Sequence, residues 1–93
     1  MNIQEIKHKI VPILLNYGVS KAGIFGSYAR NKADETSDVD ILVQLGNTMS
    51  LLQFSALKNE LEDVLNKRVD LVEYDTIKAR LKNTILLEEQ PVI

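Results

Sequence analysis

Apolar residues at Ile6, Ile10, Ile13, Leu14 and Tyr17 recur at helical spacing, and Asn2 followed three positions later by Glu5 has the form of a capping box. They predict a first helix that Gly18 ends, since glycine suits the position past a last helical turn. Pro12 inside it removes a backbone donor, so a kink there, or a helix in two short pieces, is expected. Residues 19–25, with Ala22, Ile24 and Phe25, read as a strand ending at Gly26, after which Ser27 is placed to cap a short helix through Arg30 and beyond. The polar residues 31–36 form a connection. Residues 38–45 then give the clearest strand of the chain, closed by Gly46 and Asn47. Ser50 and Gln53 make a second capping box ahead of a stripe of Phe54, Leu57, Leu61, Val64 and Leu65. A third strand is expected over 68–74, and Asp75 is placed to cap a last helix bearing Ile77, Leu81 and Ile85.

Side chains alternate along a strand, so Val39, Ile41, Val43 and Leu45 share one wholly apolar face that helices must cover. The order of elements therefore predicts an α+β, two-layer fold, with a small mixed three-stranded sheet and helices mainly on one face. The opposite face is left partly open, and it carries Asp38 and Asp40. A third strand alongside would bring Asp70 into reach.

Composition narrows the class. At 93 residues and 45% apolar content the chain reads as one soluble domain over 1–93, with no room for a second. A net charge of −2 argues against a protein whose main task is neutralising nucleic-acid phosphates, so no direct nucleic-acid binding is expected. Without cysteine, and with one histidine, neither a disulfide framework nor a thiolate or histidine-rich metal site is available. No apolar run reaches membrane-spanning length, and a cytoplasmic protein with no membrane association is expected.

Two carboxylates held close on one strand face repel unless a cation lies between them, and hard oxygen ligands of this kind suit Mg²⁺ completed by substrate phosphates. Asp70, in the otherwise apolar Val69-Asp70-Leu71-Val72, is costly to desolvate without a partner. Three such carboxylates can hold two divalent ions, and Asp70 can also take a proton from an attacking hydroxyl. Gly26 lets the backbone approach a phosphate, and Ser27 offers a hydroxyl and a backbone donor at a helix N-terminus. Arg30 has two readings, a contact to phosphate or a pairing with an aspartate that braces the loop.

Gly26-Ser27-Tyr28-Ala29-Arg30 followed by Ser37-Asp38-Val39-Asp40, with Asp70 later, resembles the signature of the DNA polymerase β-like nucleotidyltransferases, and within them the minimal nucleotidyltransferases (MNT). The resemblance covers nearly the whole chain and implies the polymerase β-like palm fold. One departure is Asn31, where the family usually has glycine; asparagine tolerates a left-handed backbone. The resemblance further implies Mg²⁺-dependent transfer of a nucleoside monophosphate, usually AMP from ATP, with release of pyrophosphate. It assigns Asp38, Asp40 and Asp70 to metal and catalysis, and Gly26, Ser27 and Arg30 to the nucleotide.

Many MNT proteins are antitoxins paired with a HEPN-domain ribonuclease toxin, so the resemblance implies a hetero-oligomer in which AMP passes to a tyrosine of the toxin. The short chain agrees with this, since a partner would have to complete the site and present the hydroxyl. Two other readings stay open: a non-catalytic antitoxin that occludes its toxin, and an enzyme modifying a small molecule such as an aminoglycoside. His8, beside Lys7 and Lys9, reads as solvated, as does the face of Lys78, Arg80 and Lys82, for which contact with triphosphate or toxin is the alternative. Tyr28 and Tyr74 flank the expected site, for packing or for a nucleobase.

Overall fold

The computed structural model describes every residue except Asn47 and Lys78; the side chains of Ala79, Arg80 and Leu81 also lie outside the description. Helix α1 spans Ile3–Asn16, and Asn2 caps it by accepting the Glu5 N–H at 2.9 Å. It runs unbroken through Pro12, so of the two expected forms, a kink or two short pieces, the second does not occur. Its inner face, Ile6, Ile10 and Leu14, is fully buried, and this packing holds the turn that the proline weakens. Strand β1, Val19–Phe25, leads into α2, Gly26–Ala29. The N-cap of α2 is Phe25 with no side-chain bond, which corrects the expectation that Ser27 caps it. Gly26, at φ +71°, starts the helix a residue earlier by making the sharp turn itself.

Strand β2 covers Val39–Leu45, and α3, Leu51–Leu65, begins with both bonds of the Ser50–Gln53 capping box in place. Such a cap contributes about 1 kcal/mol. Strand β3 is Val69–Glu73. Asp75 then lies within a 3-10 turn, Tyr74–Thr76, and α4 follows at Ala79–Glu88, so Asp75 is too far upstream to cap that helix. A fourth strand, β4 at Gln90–Pro91, corrects the expected count of three. The sheet order is β3-β2-β1-β4, with β1 antiparallel to β2 and β4, and β2 parallel to β3. The parallel pair is joined through α3, as a crossover requires.

The core lies between α1, α3 and one face of the sheet. Val39, Ile41 and Val43 of β2 are fully buried there beside Ala22, Ile24, Leu57 and Leu61. Leu42 alternates onto the second face and is fully buried as well, outside that core cluster. Over it the Tyr74 hydroxyl donates to Glu89, whose side chain lies across Gly23, the cross-strand neighbour of Leu42. The second face is thus covered at Leu42 and open toward Asp38 and Asp40. Among the described residues, no helix is long and apolar enough to cross a membrane.

Candidate functional site

Asp40 is the centre of the open face. In the sheet it lies opposite Phe25 of β1 on one side and Asp70 of β3 on the other. Equal register in a parallel pair puts Asp40 and Asp70 on the same face, which is the juxtaposition expected from the alternation. Gly26, the residue after Phe25, closes the other flank. A Cβ built there would run into the Asp40 carboxylate, with Cγ only 2.9 Å away. Glycine is therefore demanded twice at this position, by the positive φ and by the approach of Asp40.

Asp38 is exposed just before β2, at the end of a loop that is tightly bonded to itself. Asp34 accepts from the Thr36 N–H at 2.8 Å and hydroxyl at 2.7 Å, and the Ser37 hydroxyl receives the Asp34 N–H at 3.0 Å. These bonds hold the Asp34 carboxyl below the usual range. Lys67 donates to the Glu35 carbonyl at 3.0 Å, the Val39 N–H to the Arg68 carbonyl at 2.9 Å, and the Val69 N–H to Glu62 at 2.9 Å. The starts of β2 and β3, which carry Asp40 and Asp70, are thereby stitched to each other and to α3.

The electrostatics mark Asp40 apart. Partial burial, then the charges of Asp70 and Asp38, raise its pKa from 3.8 to about 6, with Arg30 the one opposing influence. The cluster thus carries more negative charge than the surrounding residues neutralise. Carboxylate oxygens are hard donors, and that unbalanced charge fits a divalent cation. Among the described residues, however, no three acidic side chains stand as a ready metal cage. The expected convergence of three carboxylates is therefore a close neighbourhood, whose completion as a ligand shell needs oxygens from elsewhere.

Arg30 bonds Glu88 of α4, Nη1 to Oε2 at 3.0 Å; its carboxylate partner is that glutamate, not an aspartate of the site. Asn31 takes φ 57°, the left-handed conformation expected of it. Tyr28 is buried in the core, and Tyr74 is bonded to Glu89 beneath Lys21, whose Nζ is 4.7 Å from the ring centre. Burial and Glu89 together push the Tyr74 phenol well above its usual range. His8 and Lys82 are exposed, whereas Lys78 and the Arg80 side chain lie outside the described residues.

Reasoning from sequence missed a cleft of about 350 Å³ beside Asp38 and Asp70, lined also by Lys58, Glu62, Arg68 and Val69. A signal was present in Arg68, two residues before Asp70 at the start of an apolar strand, and in Lys58 and Glu62, one turn apart off the apolar stripe of α3.

The fold and the carboxylate face define a nucleotidyltransferase palm: residues 8–93 match the polymerase beta nucleotidyltransferase family, and the chain belongs to it. Within that family it is one of the minimal nucleotidyltransferases. A solved structure described as a candidate minimal nucleotidyltransferase is 32% identical, superposes with a TM-score of 0.84, and covers 98% of this chain and 96% of its own. A Methanocaldococcus jannaschii protein named as a candidate protein adenylyltransferase is 57% identical over 93 residues, all of both chains. The protein adenylyltransferase MntA of Thermococcus cleftensis is 47% identical over 72 residues, 77% of this chain and 73% of that one. At 24% identity, a toxin-antitoxin structure with AMP-PNP shares the fold with a TM-score of 0.81, over 94% of this chain and 72% of its own. So does a Shewanella oneidensis MNT antitoxin in complex with a tri-AMPylated HEPN toxin, at 23% identity and a TM-score of 0.75, over 97% and 71% of the two chains.

Proposed function

We propose that this chain is the antitoxin of a HEPN toxin and neutralises it by transferring AMP from ATP to a tyrosine hydroxyl of that partner. The observation that carries the reading is Asp40 standing in register between the Gly26 turn and Asp70, with its pKa raised by partial burial and then by its acidic neighbours. The adenylyltransferase relatives and the AMPylated toxin in a related complex support the chemistry and the partner. The cytoplasm, where ATP and such a partner are available, is the compartment that fits.

In this reading the Gly26–Ser27 turn receives the β- and γ-phosphates. The first N–H groups of a helical turn lack internal acceptors, and glycine lets phosphate oxygens come close. Because α2 is a single turn, its contribution is these local donors and the Ser27 hydroxyl, with little macrodipole. Asp38 and Asp40, with Asp70, would hold Mg²⁺, the phosphates supplying the ligands that the carboxylates do not. When bound, the ion neutralises charge on the phosphates and acidifies the attacking hydroxyl. The tyrosine oxygen bonds the α-phosphorus as the bond from that phosphorus to the β-bridging oxygen breaks. Pyrophosphate leaves toward Gly26, and Asp70 takes the phenolic proton. Arg30, held on Glu88, fixes α2 and moderates the charge at Asp40.

The test is to mix the protein with ATP, Mg²⁺ and a HEPN toxin, then separate the two and weigh the toxin. It should be heavier by one or more AMP groups and stay inactive, and Asp38→Ala with Asp40→Ala should abolish both effects while the protein stays folded. A partner of unchanged mass that recovers activity on separation would make this protein an occluding antitoxin instead.

A further inference from the structure

The cleft beside Asp70 holds cations that the reaction described above does not use. Lys58 and Arg68 are both exposed, and both line the cleft with Asp38, Glu62 and Asp70. Yet among the described residues the one ion pair is Arg30–Glu88, and neither the Lys58 nor the Arg68 side chain makes a hydrogen bond. Glu62 already accepts from the Val69 N–H. Two cations thus stand on the rim of an acidic site with their donors uncommitted.

Their position has a direction. The sheet order places β3 on one side of β2 and β1 on the other, so the cleft and the Gly26 turn flank Asp40 from opposite sides. Phosphoryl displacement is in line, with the nucleophile arriving opposite the leaving group. Pyrophosphate departing toward Gly26 therefore requires the acceptor to enter from the cleft. We infer that the cleft is the acceptor subsite and that Lys58 and Arg68 bind carboxylates of an acidic segment carrying the acceptor tyrosine, an inference that rests on the proposed transfer reaction. An acidic segment is repelled by Asp38, Glu62 and Asp70; Lys58 and Arg68 offset that repulsion locally and set the segment's register.

The experiment reads binding, so it does not depend on turnover. Protein saturated with Mg²⁺ and AMP-PNP is titrated with two tyrosine peptides of equal length, one flanked by glutamates and one by glutamines, and amide chemical shifts are followed. The glutamate peptide should bind about tenfold tighter at low salt, lose that advantage as salt is added, and shift the amides of Lys58, Arg68 and Asp70. K58Q/R68Q should abolish the preference and leave AMP-PNP affinity unchanged. Equal affinity of the two peptides, or a preference that survives in K58Q/R68Q, overturns the inference. So does a fall in AMP-PNP affinity in the double variant, which would put these cations on the triphosphate. If the preference is found but AMP reaches no protein acceptor, the catalytic reading fails while the acidic-peptide site stands; transfer without the preference fails the subsite alone.

Discussion

Asp40 costs the fold stability in order to hold a charge. Its folded pKa of about 6 lies above the ordinary 3.8, so the ionised form is the disfavoured one. The stability it allows is complete below the unfolded pKa and is lost as pH rises through the folded one. A rise of that size corresponds to about 3 kcal/mol, and solvent screening at this half-exposed group reduces it to on the order of 1 kcal/mol. Asp40→Asn should therefore raise the melting temperature by roughly 4–8 °C near pH 7.5 and leave it nearly unchanged at about pH 3, below the unfolded pKa. Calorimetry at the two pH values checks this, and an unchanged Tm at the higher one would remove repulsion from the account.

Gly26 gives a second expectation. Gly26→Ala should cost about 1–3 kcal/mol, since it adds backbone strain at φ +71° to a collision with Asp40. In an Asp40→Ala background the collision is gone and only the strain is left, so a double-mutant cycle by urea denaturation should show coupling between the two sites. Equal costs in both backgrounds would mean that the contact carries no energy.

The shared face of Asp40 and Asp70 was legible from strand alternation once β3 lies beside β2, whereas Asp38, expected to open the strand, falls in the loop just before it. The partnerships of Arg30 with Glu88 and of Tyr74 with Glu89 were not, since each depends on where α4 ends against the sheet. Lys58 and Arg68 were hidden for a related reason, as only the packing of α3 beside β3 brings them together.

Helix α1 shows how packing overrides a local preference. Pro12 is exposed and interior to an unbroken helix whose opposite face is fully buried. Pro12→Ala restores the lost donor and relieves the ring clash, worth about 3 kcal/mol at most, while freeing the unfolded chain by up to about 1 kcal/mol. A net gain of about 1–2 kcal/mol is expected in chemical denaturation, with transfer activity untouched because α1 lies on the core side of the sheet. The helices with capping boxes and apolar stripes were readable almost to the residue. β4 was not, because its two residues, one of them proline, form no alternating run, and only the outer edge of β1 makes them a strand.

At the scale of the whole molecule, the repulsion among Asp38, Asp40 and Asp70 makes added positive charge at their face stabilising. Mg²⁺ with AMP-PNP should raise the melting temperature at neutral pH, by about 2.7 kcal/mol of added stability when ligand stands at a hundredfold over its Kd. Asp38→Ala with Asp40→Ala should be the more stable protein without ligand and should gain nothing from it. Differential scanning fluorimetry with and without a chelator makes the comparison. An equal gain in the double variant would place the nucleotide elsewhere.

The strand order also has a consequence during synthesis. The outer edge of β1 is closed by Gln90–Pro91, and the Ala22 carbonyl by the N–H groups of Val92 and Ile93. During synthesis β1 thus keeps a bare hydrogen-bonding edge until residues some seventy positions later leave the ribosome. Throughout that interval the open edge is a template on which other chains can pair, and a chaperone or early-bound partner covering β1 would block that pairing.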